Sequence, residues 1–230
     1  MNLSIIIPVY NEQDSLEKIV ERVLAVDLGG IEREIVISDD GSQDDTYQII
    51  QRLRVKYPDL ICYHSPTNLG KGAAVRLGVA ISSGDVITIQ DADMELNPEE
   101  YPHLLASLFD QKAQVVYGSR FLNLKVKVNR TSLLANRFLT MLTNVFFGAH
   151  LTDMETGYKM FFREALDGIR LRCVHFDFEP EITASLLQKG YHIMEVPISY
   201  SPRSIQSGKK MSWVDGFEAI FTLLRCRFFS

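Results

Sequence analysis

The chain has few cysteines and no long apolar run, and each scarcity excludes a class of protein. Its 230 residues include three cysteines, Cys62, Cys173 and Cys226, none of them in a C-x-x-C pair. This argues against a disulfide framework or a zinc site and favours a reducing cytosol. Residues 133–149 form the most apolar stretch, but polar side chains interrupt it, so we expect an amphipathic helix and no membrane span. No signal-peptide pattern precedes the first apolar run.

The sequence also lacks an excess of positive charge and the common nucleotide-binding loops. The formal net charge is −5, which argues against a general nucleic-acid binder. No G-x-G-x-x-G follows the first apolar run, so a dinucleotide dehydrogenase is not expected. The Gly70-Lys71-Gly72 segment lacks the leading Gly and the following Ser or Thr of a Walker A loop. The five histidines show no ligand spacing, and we expect them to be structural.

What the sequence does contain is a regular alternation of strand and helix patterns. Short apolar runs with the character of buried strands occur at residues 3–7, 34–38, 60–63, 86–89 and 115–118. Each of the first four is followed by helical spacing or by a helix start, which predicts a parallel, doubly wound α/β sheet. Ser42 and Asp45 resemble a capping box at the start of a helix that runs to about Lys56. We expect one folded domain over residues 1–210.

The regular alternation of strand and helix patterns ends after Arg120. We expect a polar, basic loop to Arg130, a strand at residues 158–162 beside the sheet, a helix at 179–188 and a strand at 191–200. Residues 201–210 are polar and basic and predict a mobile loop. Residues 211–230 predict a separate amphipathic helix, with one apolar face formed by Trp213, Phe217, Ile220, Phe221, Leu224 and Phe228. That helix can lie in a membrane interface or dock on the domain.

Two acidic pairs end two of the predicted strands. Asp91 and Asp93 follow the run at 86–89, and Asp39 and Asp40 end the run at 34–38. Carboxylates this close together are costly unless a positive charge lies between them. Oxygen ligands suit Mg²⁺ or Mn²⁺, which keep open positions for substrate phosphates. Both pairs should meet at one rim of the sheet, where open α/β folds bind ligands.

Seven short segments together resemble those of the inverting nucleotide-sugar glycosyltransferases with a GT-A fold, most closely the dolichyl-phosphate mannose synthase and polyprenyl-phosphate glycosyltransferase branch. They cover residues 3 to about 210. The segments are Ile5-Ile6-Ile7-Pro8-Val9-Tyr10-Asn11-Glu12, Asp39-Asp40-Gly41-Ser42, Asn68-Leu69-Gly70-Lys71-Gly72, Asp91-Ala92-Asp93, Gly118-Ser119-Arg120, Asp153-Met154-Glu155-Thr156-Gly157 and Phe176-Asp177-Phe178-Glu179. The resemblance implies a mixed, mostly parallel sheet flanked by helices.

The resemblance also implies site residues. A pocket for the base and ribose would be formed by Pro8, Tyr10, Glu12, Asp39 and Asp40, with Lys71 near the nucleotide. The metal would be held by Asp91 and Asp93. Glu95 is at the position where close relatives often have a Gln that assists in binding the metal. The phosphates would be faced by Arg120, Arg130, Arg203 and Lys210.

Elementary chemistry links these residues to two possible acceptors. A lipid phosphate is already ionised at neutral pH and needs binding, for which arginine is suited. A sugar hydroxyl needs a general base, and Asp153 is the candidate. With a phosphate acceptor, Asp153 would instead orient an arginine, Lys159 or the sugar.

We therefore expect a metal-dependent inverting glycosyltransferase that moves mannose or glucose from GDP-mannose or UDP-glucose to a polyprenyl or dolichyl phosphate. It would use Mg²⁺ or Mn²⁺ and act in the cytoplasm, peripherally on the cytosolic face of a membrane. One alternative is the same fold with a saccharide or protein hydroxyl as acceptor and Asp153 as base. Another is a non-catalytic membrane-surface or subunit-binding module. A sugar-1-phosphate nucleotidyltransferase is disfavoured, because no Gly-rich basic loop follows the first strand.

Overall fold

The structure, a computed structural model, describes residues 1–110, 113–122, 130–202 and 213–229; at residues 130, 131 and 213 it describes the backbone alone. Seven strands form one sheet in the order β3-β2-β1-β4-β6-β5-β7. They are β1 (Asn2–Val9), β2 (Glu32–Asp39), β3 (Ile61–His64), β4 (Val86–Ile89), β5 (Val115–Ser119), β6 (Lys159–Phe162) and β7 (Ile193–Pro197). The predicted α/β fold with a mixed, mostly parallel sheet is confirmed.

Strand β6 lies inside the sheet and not beside it. It pairs antiparallel with both β4 and β5, whereas the other neighbouring strands pair in parallel. Because β6 runs against its neighbours, its first residue lies at the rim where β1, β2 and β4 end. The loop that precedes β6, residues 153–158, is thereby brought to the same rim as the two acidic pairs.

In the described part of the chain, seven α-helices cover the two faces of the sheet. They are α1 (Leu16–Ala25), α2 (Thr46–Lys56), α3 (Lys71–Ile81), α4 (Tyr101–Asp110), α5 (Arg130–Phe147), α6 (Phe178–Gln188) and α7 (Trp213–Phe229). One core cluster joins the sheet to α1, α2 and α4, and a second joins it to α3, α5, α6 and α7. The apolar residues of β1 alternate between the two clusters, since side chains along a strand point to opposite faces. The sheet is therefore buried on both sides, as the unbroken apolar strands predicted.

The predicted capping box at Ser42 and Asp45 is wrong. Helix α2 begins at Thr46, and its preceding residue, Asp45, makes no side-chain cap. The backbone and hydroxyl of Ser42 both donate to Asp39 Oδ1, at 3.1 and 2.6 Å. The Asp39 carboxylate, three residues before Ser42, therefore binds the backbone N–H and the hydroxyl of Ser42 that a capping box would have used.

Helix α7 docks on the body and also exposes aromatic side chains. Its buried side consists of Ala219, Thr222, Leu223 and Cys226. The apolar face expected from the sequence points largely the other way, with Phe217, Phe221 and Phe228 each about two-thirds exposed. Thus the helix has two apolar sides, one packed on α5 and α6 and one directed to solvent.

Candidate active site

The loops after β1 and β2 are joined by reciprocal hydrogen bonds. Asn11 N donates to Ser42 Oγ at 2.9 Å, and Gln43 N donates to Asn11 Oδ1 at 2.8 Å. Asn11 has a φ of 54°, a left-handed conformation that Asn tolerates better than most residues. Glu12 is buried and accepts a hydrogen bond from Ser15 Oγ at 2.7 Å. These bonds hold the predicted Pro8–Glu12 segment beside the Asp39-Asp40 turn.

The carboxylates of Asp39 and Asp40 are buried and bonded to the protein. Asp39 Oδ2 lies 2.7 Å from His64 Nδ1. Asp40 accepts from the backbone nitrogens of Leu69 and Gly70, at 2.8 and 2.7 Å. Burial raises the pKa of Asp40 even though these N–H groups act in the opposite direction. The pair thus fixes the turn after β2 to the segment that leads into α3.

Gly41 between these loops could not be any other residue without movement. Its φ is 73°, and a Cβ there would lie 2.7 Å from the backbone carbon of Thr67. A left-handed conformation and a backbone this close both require the absence of a side chain. In this turn the backbone of Gly41 therefore lies directly against the backbone of Thr67.

The carboxylate of Asp91 is held by a lysine. Lys71 Nζ lies 2.8 Å from Asp91 Oδ1 and 2.8 Å from Glu179 Oε1. Burial alone would lower the pKa of Lys71, but the two carboxylates outweigh it and raise the pKa above its usual value. About a quarter of the Asp91 side chain remains exposed. The D-x-D segment therefore faces solvent with a cation already on one of its oxygens.

The other two predicted metal ligands have different surroundings. Asp93 Oδ1 accepts from Glu95 N at 3.1 Å, across Met94, whose φ is 63°. Glu95 Oε2 accepts from Tyr200 Oη at 2.6 Å. In the part of the chain that the structure describes, no three acidic, histidine or cysteine side chains are grouped so that they could hold one metal ion.

Arg120 and Asp153 form a buried, two-pronged ion pair. Arg120 Nε lies 2.7 Å from Asp153 Oδ2, and Nη2 lies 2.8 Å from Oδ1. The backbone N–H of Arg120 also donates to Oδ2, at 3.0 Å. Burial alone would raise the pKa of Asp153, but the hydrogen bonds and charge of Arg120 outweigh it and hold the pKa below its usual value. Asp153 is consequently ionised, and both of its carboxylate oxygens accept hydrogen bonds.

Three residues that the sequence analysis did not assign complete this pair. Asn136 of α5 donates to Asp153 Oδ1 at 2.9 Å. Glu195 of β7 accepts from the backbone of Asp153 at 2.9 Å, and Tyr200 places its ring 5.3 Å from the Arg120 guanidinium. Asn136 interrupts an apolar helix pattern, which is a visible signal. Glu195 is an acid in a mostly apolar strand, and its partner 42 positions earlier is not visible in the sequence.

The structure brings some of the predicted residues together and says nothing of others. Lys71 joins Asp91, and Arg120 joins Asp153, all at the rim formed by the strand ends. Arg203 and Lys210 lie outside the described residues, as does the side chain of Arg130. Their prediction as phosphate ligands stays a prediction.

The chain belongs to glycosyl transferase family 2, which it matches over residues 4–170. It is 31% identical over 215 residues to a dolichyl-phosphate beta-glucosyltransferase, ALG5A, of Trichomonas vaginalis, covering 86% of this chain and 65% of that protein. It is also 30% identical to the polyprenol monophosphomannose synthase of Mycolicibacterium smegmatis, covering 94% of this chain and 83% of that one. The chain thus spans slightly less than two thirds of the first relative's length.

The fold is also similar to a solved enzyme structure. The glucosyl-3-phosphoglycerate synthase of Mycobacterium tuberculosis, in complex with Mn²⁺, uridine diphosphate and phosphoglyceric acid, matches with a TM-score of 0.75 and 20% identity. The match covers 100% of this chain and 79% of that one. At this identity the likeness establishes the fold, and the predicted GT-A architecture is confirmed.

Proposed function

We propose that this chain transfers a sugar from a nucleotide sugar to the phosphate group of a polyprenyl or dolichyl phosphate. The observation that carries the proposal is the ion pair between Arg120 and Asp153. A general base needs a pKa near the working pH and an unoccupied oxygen. Asp153 has a lowered pKa, and both oxygens accept hydrogen bonds. It is thus better suited to hold Arg120 than to deprotonate a hydroxyl.

A phosphate acceptor fits an arginine that is held in this way. Asp153 occupies Nε and Nη2 of Arg120, and within the described residues no hydrogen bond is made by Nη1. A guanidinium with a free donor binds phosphate oxygens well, and a phosphate monoester needs no base because its second pKa is near 6. The names of the two relatives, which mention a dolichyl phosphate and a polyprenol, support the same acceptor class.

The proposed reaction is a single displacement. An acceptor phosphate oxygen attacks the anomeric carbon of the sugar, and the bond from that carbon to the nucleoside diphosphate breaks. The electron pair leaves with the diphosphate, and the configuration at carbon inverts. Arg120 would bind and orient the attacking phosphate, and Asp153 would act as a positioning residue that fixes the guanidinium plane.

The residues at the D-x-D segment fit Mg²⁺ or Mn²⁺. Asp91 and Asp93 offer hard oxygen ligands, and the Lys71 ammonium already shows that a cation is stable against Asp91. With two protein carboxylates, the other positions would be left to diphosphate oxygens. A bound divalent cation would offset the negative charge that grows on the departing diphosphate. Lys71 would then lie within reach of the same phosphates.

A second part of the proposal concerns the membrane. Exposed apolar side chains follow one side of α5 and the outer side of α7, and we call them the apolar face. They are Leu134, Phe138, Met141, Val145, Phe217, Phe221, Leu224 and Phe228. The two helices are in contact, and the rings of Phe146 and Phe228 are 6.3 Å apart. An apolar face of this size is typical of protein or membrane interfaces.

Half of the apolar face lies on α5, the helix that also contacts the active site. Asn136 of α5 donates to Asp153, while Phe138 and Met141, less than two turns away, are exposed. A groove of about 420 Å³ is lined by α5 from Arg137 to Val145 and by the loop from Ala149 to Thr152, the residue before Asp153. In the described part of the chain no helix is long and apolar enough to cross a bilayer. Contact of this face with the lipid surface would place a lipid phosphate near Arg120.

Purified protein tests the reaction directly. UDP-glucose, GDP-mannose and UDP-N-acetylglucosamine are each incubated with Mg²⁺ or Mn²⁺, with and without a short polyprenyl phosphate. We expect lipid-linked sugar from one donor, identified by mass spectrometry, and none without the lipid. Donor hydrolysis or transfer to other acceptors, with no lipid product from any donor, would contradict the proposal.

Vesicle binding tests the membrane part. Phe217→Ser with Phe221→Ser should weaken cosedimentation with anionic vesicles by about a thousandfold, since each buried Phe contributes on the order of 2 kcal/mol. Val55→Ser is the matched control, because Val55 is an exposed apolar residue of α2 away from the apolar face. Equal vesicle binding by the double variant and the control would contradict the membrane assignment.

A further inference from the structure

The loop from Asp153 to Gly157 connects the two halves of the site. At its first end Asp153 is held by Arg120. At its other end the backbone of Gly157 rests on Asp91, since a Cβ at Gly157 would lie 2.5 Å from Asp91 Oδ2. The acceptor phosphate is assigned to the first end and the donor diphosphate to the second. The sugar in transit must therefore pass between them, along this loop.

Glu155 is the middle residue of that loop, and among the described residues one of its oxygens has no hydrogen-bond partner. Oε1 is buried and makes no hydrogen bond within the described residues. The residue as a whole is only partly buried, so the carboxyl group borders the open site. Buried polar atoms in folded proteins are nearly all hydrogen-bonded, and an exception calls for an explanation such as a ligand.

The positive groups near Glu155 do not offset the effects of burial and of the neighbouring carboxylates on its pKa. The charged groups that face it are Glu179, Lys159, Arg120 and Asp153, and burial followed by the charge of Glu179 raises its pKa well above the usual value. Of the two positive groups, Lys159 lowers the pKa of Glu155 more than Arg120 does. Its Nζ, however, donates to the carbonyl of Met154 at 2.7 Å and lies 4.0 Å from the centre of the Tyr117 ring. Glu155 therefore retains a proton more readily than an ordinary glutamate does.

We propose that the Glu155 carboxyl group hydrogen-bonds a hydroxyl of the transferred sugar and is a specificity-determining residue for the donor. The inference rests on the proposed function, because it is the assignment of the two ends of the loop that places the sugar between them. A protonated carboxyl both donates and accepts, which matches a sugar hydroxyl. A site that hydrogen-bonds a substrate hydroxyl rejects analogues that lack it.

Binding measurements separate this role from a structural one. Calorimetry compares the affinity for a nucleoside diphosphate alone with that for the corresponding nucleotide sugar, using UDP with UDP-glucose and GDP with GDP-mannose. For the pair that the wild type binds, Glu155→Leu and Glu155→Ala should each weaken nucleotide-sugar binding about tenfold, the equivalent of one hydrogen bond. The affinity for the diphosphate alone should be unchanged, and Glu155→Gln should stay within about threefold of wild type.

A deoxy donor then identifies the hydroxyl. For one of the 2-, 3-, 4- or 6-deoxy nucleotide sugars, the affinities of wild type and Glu155→Leu should be equal. Glu164→Gln is the matched control, because Glu164 is exposed. Unchanged nucleotide-sugar binding in the Leu and Ala variants, or an equal loss for diphosphate and nucleotide sugar, would overturn the assignment. A wild type that binds no nucleotide sugar would instead overturn the proposed function and this inference with it.

Discussion

Two acidic pairs end neighbouring parts of the same sheet, yet their surroundings differ. The carboxylates of Asp39 and Asp40 are almost completely buried, and backbone N–H groups, a serine and a histidine occupy their oxygens. The carboxylate of Asp91 is partly exposed and paired with the ammonium group of the Lys71 side chain. The first pair holds loops together, whereas Asp91 of the second pair has a partner that a substrate or an ion can replace. The prediction that Asp39 and Asp40 also line the nucleotide pocket stays a prediction.

The comparison shows why similar sequence patterns do not have similar roles. Backbone N–H groups are fixed by the fold, so a carboxylate that binds them cannot exchange these partners without local unfolding. A lysine ammonium is tethered by a flexible chain and can move aside. The partner of an acidic group, more than its position at a strand end, therefore decides whether it is structural or functional.

The largest effect is expected at the exchangeable pair. Asp91→Asn should lower kcat/KM for lipid-linked product by about a thousandfold, because a charge near the departing diphosphate is lost. Its free energy of unfolding should change by less than about 1 kcal/mol, since Lys71 keeps Glu179. Product formation and urea unfolding measure the two quantities. Near-normal turnover in this variant would show that the exposed pair is not part of the site.

Asp153 sharpens the comparison, because its carboxylate accepts four hydrogen bonds from Arg120 and Asn136 and yet belongs to the candidate site. Its folded-state pKa is lowered, so it stabilises the fold above its unfolded pKa of about 3.9 and this contribution is lost as the pH falls. Asp153→Asn should cost about 3 kcal/mol at neutral pH, and the difference from wild type should shrink below about pH 4. Urea unfolding at several pH values tests this. If the difference in unfolding free energy between wild type and Asp153→Asn does not vary with pH, the ion pair is not its cause.

At the structural pair, a change should affect stability more than catalysis. Asp40→Asn places an amide N–H against the backbone N–H of Leu69 or Gly70, and should cost about 2 kcal/mol of unfolding free energy. At a temperature where the variant is folded, its turnover should stay within about threefold of wild type. Thermal unfolding and an activity assay below the transition check both values. A stable but inactive Asp40→Asn would assign this carboxylate to the substrate after all.

The smallest effect is expected at the edge of the structural pair. His64 is about one-third exposed and bonds Asp39, which also keeps its bonds from Ser42. His64→Gln should therefore cost about 0.5–1 kcal/mol, measured by urea unfolding against wild type. A cost as large as that of Asp40→Asn would mean that the two carboxylates are held as one unit.

Much of the fold could be predicted from the sequence, because its signals are local. The apolar runs of β1, β2, β4 and β5 and the helical spacing between them define the alternating pattern, and the strand ends place both acidic pairs at one rim. The position of β6 could not be predicted in this way. Its pairing with β4 and β5 joins residues more than 40 positions apart, and no local pattern states that it is inserted antiparallel between them.

The sequence predicted which residues belong to the candidate site, but it did not define which of them contact one another. Asp91, Arg120 and Asp153 were found by their place in short segments, and an arginine was one of three partners expected for Asp153. That this partner is Arg120 appears only when the loop before β6 reaches the end of β5. Glu95 was expected at a metal and is bonded to Tyr200, since residue 200 is paired with Leu96 across the rim. Such contacts depend on the topology of the whole chain.

The acceptor is the central claim, and one comparison tests it most directly. The purified protein is given its nucleotide sugar with either a short polyprenyl phosphate or the polyprenol alcohol of the same length. If Arg120 binds an ionised phosphate and Asp153 is not a base, sugar is transferred to the phosphate, and the alcohol is used at less than about a hundredth of that rate. Equal transfer to the alcohol, abolished by Asp153→Asn, would contradict the account and establish Asp153 as the base.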